Sequence, residues 1–314
     1  MSPPIFFRGR NLLYYRDHYY PNDATTAYEH MHEALQNVSR TQDTKTRILL
    51  VPKRIFVFGR TDTFLPYMCA LTSTDNLNTP LGSLPVDTEV NAELMKTGDF
   101  KYLDVPTDTK ERFIEMQLPF IAKVMENCKG RFKVVPVYIG TLAYEQQLVV
   151  ARRFVQYLQD PENVFIFSVS LCHWGEIYKY NTLNPETGDV LDNIKAIDQK
   201  AIESLQPLRF TPFDQFLLDT KATVFDNQVI AMCVLVVQQL LDSDLYGLIK
   251  LNADDAAKAM RKTAEFRLMG QAWSFPDVQP NDSCISYISA VVSFDQVKYV
   301  PEEPQEINPL DKAC

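Results

Sequence analysis

The stretch at residues 47–58, RILLVPKRIFVF, restricts the fold more than any other. It holds two apolar runs, each with the length and side-chain content of a buried strand, separated only by Pro52 and Lys53. Parallel neighbours need a crossover of roughly a dozen residues. A two-residue link therefore leaves a hairpin, or one strand kinked at Pro52.

Downstream, strand-like and helix-like segments alternate. Residues 69–73, 132–140 and the run opening at 163 read as strands, and 265–273 and 283–294 as closing strands. Helices are expected over 87–97, with a capping Asp and a following Gly98, and over 143–158, 196–205, 212–220 and 227–241. Residues 244–258 also read as helical. Residues 23–38 read as an amphipathic helix, in which His30 and His32 would point to different sides. In 108–128 the periodic Phe113, Met116, Phe120 and Val124 predict a helical face, with Pro119 kinking it or starting a helix. Pro136 places 132–140 at a sheet edge or a bulge. Residues 77–85 and 182–194 read as loops. The alternation predicts an α/β sandwich, a mostly parallel or mixed sheet flanked by helices. Without an internal repeat or a linker, the reading is one domain over 1–300 and a disordered, acidic, Pro-rich tail over 301–314.

A formal charge of −9 argues against nucleic acid as the main partner, because phosphate binding needs clustered Lys and Arg. The longest apolar run, VIAMCVLVV at 229–237, is far shorter than the ~20 residues of a membrane span. The N-terminal stretch lacks a signal-peptide core. No membrane insertion is expected, and the expected location is cytoplasmic, with a nuclear pool as the alternative. The six cysteines form no CxxC pair and read as reduced thiols.

Residues 163–180, NVFIFSVSLCHWGEIYKY, are the chemically suggestive part. A strand opens into Cys172-His173-Trp174-Gly175, and the carboxyl end of a strand is where an α/β sheet places a site. Partners for His173 are scarce. The chain has four histidines and no phosphate-binding Gly-rich loop, HExxH or GxSxG motif. Neighbours on a strand face opposite ways, so Cys172 is not its automatic partner. Tyr19 and Tyr20, in the aromatic-rich stretch at 11–21, serve either packing or a pocket wall.

LPVDTEVNAELMKTGDF at 84–100, IEMQLPFIAKVMEN at 114–127, FKVVPVYIGTL at 132–142 and DPENVFIFSVSLCHWG at 160–175 together resemble the Memo family, cytoplasmic mediators of receptor-tyrosine-kinase-driven cell motility. The resemblance covers roughly residues 11–295. It implies a fold similar to class III extradiol dioxygenases, with a metal-site pocket at the strand ends. In the family that pocket takes histidines from Pro-His-Ala-Gly-Tyr and Gly-Pro-Ser-His-His segments, an Asp set off from CHWG by one residue, and a Cys.

This chain departs at nearly every position. After Val51-Pro52 the family's His-Ala-Gly-Tyr and its following helix are missing. Gly59-Arg60-Thr61-Asp62-Thr63 replaces Gly-Pro-Ser-His-His, Ser170 stands at the Asp position, and Phe225 falls at about the Cys position. Glu111-Arg112-Phe113 replaces Glu-His-Ser, and the family's entry segment becomes Asp17-His18-Tyr19-Tyr20-Pro21. Asp62, Ser170 and His173 make an incomplete ligand set, soft thiolate ligation goes with Phe225, and Arg60 and Arg112 would repel a cation. The resemblance thus implies a non-catalytic adaptor, with no metal or cofactor, that binds protein partners. If Tyr19, Tyr20, Arg60, Asp62, Arg112, Ser170, His173, Trp174 and Phe225 line a pocket, the guanidiniums suit a phosphopeptide. The competing readings are an iron- or copper-dependent oxidoreductase with a remodelled site, and a structural paralogue with a closed pocket.

Overall fold

The computed structural model describes residues 52–299, except residues 185, 257 and 276–277. The run at 47–51, the helix expected at 23–38, Tyr19, Tyr20 and the tail lie outside the described residues.

Five strands form the central sheet: β1 (Arg54–Arg60), β2 (Cys69–Thr72), β5 (Phe100–Leu103), β6 (Lys133–Ile139) and β7 (Asn163–Phe167), in the order β5-β2-β6-β1-β7. β1 runs parallel to both β6 and β7, and β2 is parallel to β5 but antiparallel to β6. The sheet is mixed and mostly parallel, flanked by helices. β1 is paired along both sides.

The alternation of β1 divides the core. Phe56 and Phe58 face one way, toward helices α4 (Tyr144–Gln159) and α7 (Asn227–Leu248), where Val150, Phe154, Met232 and Leu235 complete one cluster. Ile55 and Val57 face the other way. They meet Ile114, helix α3 (Leu118–Val124) and the hairpin of β3 (Asn76–Thr79) and β4 (Gly82–Pro85). Helix α1 (Thr88–Met95) follows the hairpin; Asp87 caps it by accepting from the Val90 N–H, 3.3 Å away. Short helix α2 (Val105–Asp108) follows β5.

A second sheet is antiparallel. β10 (Cys284–Lys298) pairs along its length with β9 (Met260–Trp273) and, at its first two residues, with β8 (His173–Trp174). Phe266, Leu268 and Ile288 of this ribbon pack on α5 (Val190–Leu205), α6 (Phe210–Thr220) and the far side of α7. Helix α8 (Ala253–Ala256) leads into β9. Among the described helices, α7 alone is long and apolar enough to cross a membrane; its apolar residues pack against both neighbouring layers.

Four expectations need correction. Residues 190–194, read as loop, open helix α5. Residues 77–85 are not a loop: Pro80 and Leu81 are the turn of the β3–β4 hairpin, and Gly82 closes it at a φ of +131°. The face expected from Phe113, Met116, Phe120 and Val124 is not the buried one. A 3-10 turn over Glu115–Gln117 resets the phase, and Leu118, Ile121 and Ala122 point inward while Val124 is 61% exposed. Pro136 lies in an interior strand, not at an edge. Val134 and Tyr138, which share its ladder side, pair with Val86 and Ala70, so its missing N–H falls in the gap between them.

Candidate functional site

Site and sheets meet where the chain leaves β7. The Ser168 N–H still donates to the Phe58 carbonyl of β1 at 2.8 Å. Three residues on, Leu171 N–H donates to Ser286 of β10, and the His173 N–H donates to Thr223 at 2.9 Å. The segment before α7 is thereby drawn alongside the turn. Gly175 ends it at a φ of +125°, and a Cβ there would lie 2.9 Å from Ser283 Cα, so the turn requires glycine.

Side chains from four segments of the chain converge here. The Arg60 guanidinium, at the carboxyl end of β1, lies 3.7 Å from the Phe113 ring centroid and 5.4 Å from that of Phe225. Its Nε is 3.2 Å from Asp226 Oδ1, yet neither atom completes a hydrogen bond, so this is an ion pair without directional bonding. The other Asp226 oxygen accepts from the Ser170 N–H at 2.7 Å and from the Ser170 hydroxyl. Burial pulls the Arg60 guanidinium below its usual value, while Asp226, Asp62 and Glu111 hold it up.

His173 closes the group. Its Nδ1 lies 3.2 Å from the Leu171 carbonyl, which fixes the tautomer with the proton on Nδ1. Its ring meets Phe225 edge-on at 4.7 Å and Tyr178 at 5.1 Å. Burial lowers its pKa, which favours the neutral imidazole; the Leu171 carbonyl and Asp226 oppose the shift and Arg60 adds to it.

Beside this group, Glu111 organises the loop after β1. It is 1% exposed, and its carboxylate accepts from the Asp62 and Thr63 N–H groups at 3.0 and 3.2 Å and from both threonine hydroxyls of the loop. Asp62 in turn receives Arg112 through Nε and Nη2, at 2.9 and 3.3 Å. That pair is nearly half exposed and contributes little stability.

Of the residues expected to share a pocket, Arg60, Ser170, His173 and Phe225 come together, with Asp62 and Arg112 paired alongside. Trp174 does not join them. Strand alternation turns it to the opposite face, where it packs with Cys172, Val190, Ile194 and Cys284. Cys172 shares that face, and burial pushes its thiol well above the usual range. It is no nucleophile for His173. The sequence reading missed Asp226 and the anchoring carboxylate of Glu111. A signal for Asp226 existed: a carboxylate expected at 170 is absent, and one stands directly after Phe225.

The residues present do not fit the metal centre that the family pocket implies. Asp62 is held by Arg112, Asp226 by Ser170 and Arg60, and a guanidinium already lies between the carboxylate and the aromatic rings. Among the described residues no three His, Cys, Asp or Glu side chains form a group that could hold a metal ion.

Behind the turn, Asp198 of α5 is 1% exposed. It accepts from Trp273 Nε1 at 3.0 Å through one oxygen. Burial raises its pKa to about 6, with Ser286, Trp273 and the Cys172 backbone opposing the shift. The folded-state value lies above the unfolded one, so stability is lost as pH rises through about 4 to 6. Asp198→Asn is expected to gain stability over the wild type across that window, by up to about 3 kcal/mol at neutral pH. Urea unfolding at pH 4 and pH 7 checks this; a difference between the two proteins that does not grow with pH refutes it.

A family model described as Memo-like protein matches residues 51–291. The relatives include "Protein MEMO1" of Rattus norvegicus, 31% identical over 195 residues, or 62% of this chain and 66% of that protein. "Protein MEMO1" of Homo sapiens is 32% identical over 190 residues, covering 60% of this chain and 64% of that protein. "Protein memo-1 homolog" of Caenorhabditis elegans is 30% identical over 241 residues, covering 76% and 64%. The matched region thus spans about two thirds of these relatives' length. With a family model matched over residues 51–291, from the strand before the site into the ribbon behind it, this chain belongs to the Memo family.

Proposed function

We propose that this chain is a non-catalytic Memo-family protein that acts as a cytoplasmic signalling adaptor, linked to cell motility and the cytoskeleton through protein partners. The observation that carries this reading is the Arg60–Asp226 pair at the strand-end site. Arg60 stands against the two rings and the Asp226 carboxylate that could otherwise receive a cation, and His173 holds one ring nitrogen on the Leu171 carbonyl. Binding work then falls to the surface. The loop that Glu111 pins exposes Phe64 at 80% and Tyr67 at 70%, side chains suited to a protein partner.

The phosphopeptide version of this reading is the weaker one. Arg60 and Arg112 face Asp62, Glu111 and Asp226, so the cluster carries one net negative charge and each guanidinium already has a carboxylate. A phosphate would have to displace one of them.

Metal analysis of the purified protein tests the proposal. Iron and copper well below one per chain, before and after anaerobic loading, and unchanged by His173→Ala, are the expected result. A full equivalent of either metal that disappears with His173→Ala would replace it with the oxidoreductase reading. Fluorescence anisotropy with a phosphotyrosine peptide separates the remaining versions. Affinity lost on Arg60→Ala would restore the phosphopeptide site.

A further inference from the structure

We infer that the strand-end group is a guanidinium-binding site which the chain fills with its own Arg60. This rests on the reading that the group is not a metal centre, and it adds the chemical class of ligand that the site selects.

Three features favour a planar, delocalised cation over a compact one. The Phe113 ring presents its face 3.7 Å from the guanidinium carbon, an arrangement that suits a flat, weakly hydrated ion better than an ammonium. The Phe225 ring stands 5.4 Å away and is braced by His173 and Tyr178 at 4.7 and 5.9 Å. Asp226 offers the cation one oxygen, Oδ1, because Ser170 takes the other through its N–H and hydroxyl. A divalent metal wants several hard donors, and a single carboxylate oxygen with aromatic faces does not supply them.

The supports of this cradle do not depend on Arg60. Asp226 sits at the start of α7 and is held by Ser170. Phe113 precedes the fully buried Ile114, which packs against Gly59. Arg60 itself fits imperfectly, since its buried Nε and Asp226 Oδ1 complete no hydrogen bond. The tether from β1 sets its approach, and a free guanidinium can turn to make the bond that Arg60 misses.

The test removes the internal ligand and supplies an external one. Arg60→Ala is expected to lower Tm by about 5 °C, since it strands a largely buried carboxylate. Methylguanidinium chloride at about 20 mM should then restore most of that loss and bind at one saturable site by calorimetry. The wild type should gain nothing, because Arg60 blocks the site. Methylammonium should not substitute for methylguanidinium, and Arg60→Ala/Asp226→Asn should lose the rescue. If Arg60→Ala does not fold, Arg60→Gln takes its place with the same expected rescue. The inference is overturned by an absence of saturable methylguanidinium binding to the variant that folds, by an equal response to methylammonium, or by one Zn²⁺ per chain bound in preference. These outcomes concern only the variants. Metal in the wild-type protein would instead sink the non-catalytic reading, so the two failures are distinguishable.

Discussion

Asp226→Ala is expected to destabilise the fold by about 3 kcal/mol, the largest loss available from one charged side chain at this site. The carboxylate is 5% exposed by residue and joins three segments: Ser170 after β7, Arg60 at the end of β1, and the start of α7. Removing it leaves the Ser170 N–H and the Arg60 guanidinium without their anion. The quarter exposure of the Arg60 side chain softens the loss, which is why the estimate sits at the low end for a broken buried pair. Asp226→Asn should cost less, because an amide oxygen still accepts from Ser170. The pairing itself is isolated by a double-mutant cycle with Arg60→Met and Asp226→Leu. Apolar side chains against Phe113 and Phe225 should recover much of the single-mutant loss. A coupling below about 0.5 kcal/mol would mean that the pair does not hold the site together. His173 gives an independent readout. Asp226 raises its pKa and Arg60 lowers it, so an NMR titration should move down in Asp226→Asn and up in Arg60→Met.

How far the sequence leads is best seen at these same residues. The strand before CHWG, the apolar run of β1 and the amphipathic α4 announce themselves through periodicity, and with them the mixed, helix-flanked sheet. Local chemistry is harder where signals conflict. Pro80 and Gly82 speak for a loop, and they do form the turn, yet strands of four residues on either side are too short to assert themselves. The phase reset at Glu115–Gln117 is invisible to a count of apolar residues, because both phases offer plausible faces. At the site, the sequence names Arg60, Ser170, His173 and Phe225 but not the residue that joins the first two. Asp226 lies 56 residues from Ser170, and a contact at that separation leaves no trace in local pattern. The resemblance located the missing ligands; only the fold shows that a carboxylate from another segment and a guanidinium stand there instead.

Gly140→Ala should be the most damaging substitution per atom added, at about 3 kcal/mol or more. Gly140 ends β6 where the chain from Leu65 to Met68 crosses it. A Cβ there would stand 2.2 Å from the Met68 carbonyl oxygen, 2.4 Å from that of Leu65 and 2.7 Å from Leu65 Cβ. Two of these are backbone atoms, and the Leu65 carbonyl is fixed by accepting from the Thr141 N–H at 2.9 Å. No rotamer change relieves such a contact; the strand and the crossing segment must separate. That segment continues the loop whose Thr61 and Thr63 are anchored on Glu111, so the displacement should reach Arg60 and loosen the site. Gly247→Ala is the control. It lies in the helical stretch of α7, a Cβ there would meet no atom within 4 Å, and the change should gain about 0.5–1 kcal/mol from helix propensity. Urea unfolding of both variants decides the matter. A Gly140→Ala protein within about 0.5 kcal/mol of wild type would show that β6 and the 65–68 segment part easily, and that the loop carrying Phe64 and Tyr67 is not held by this crossing.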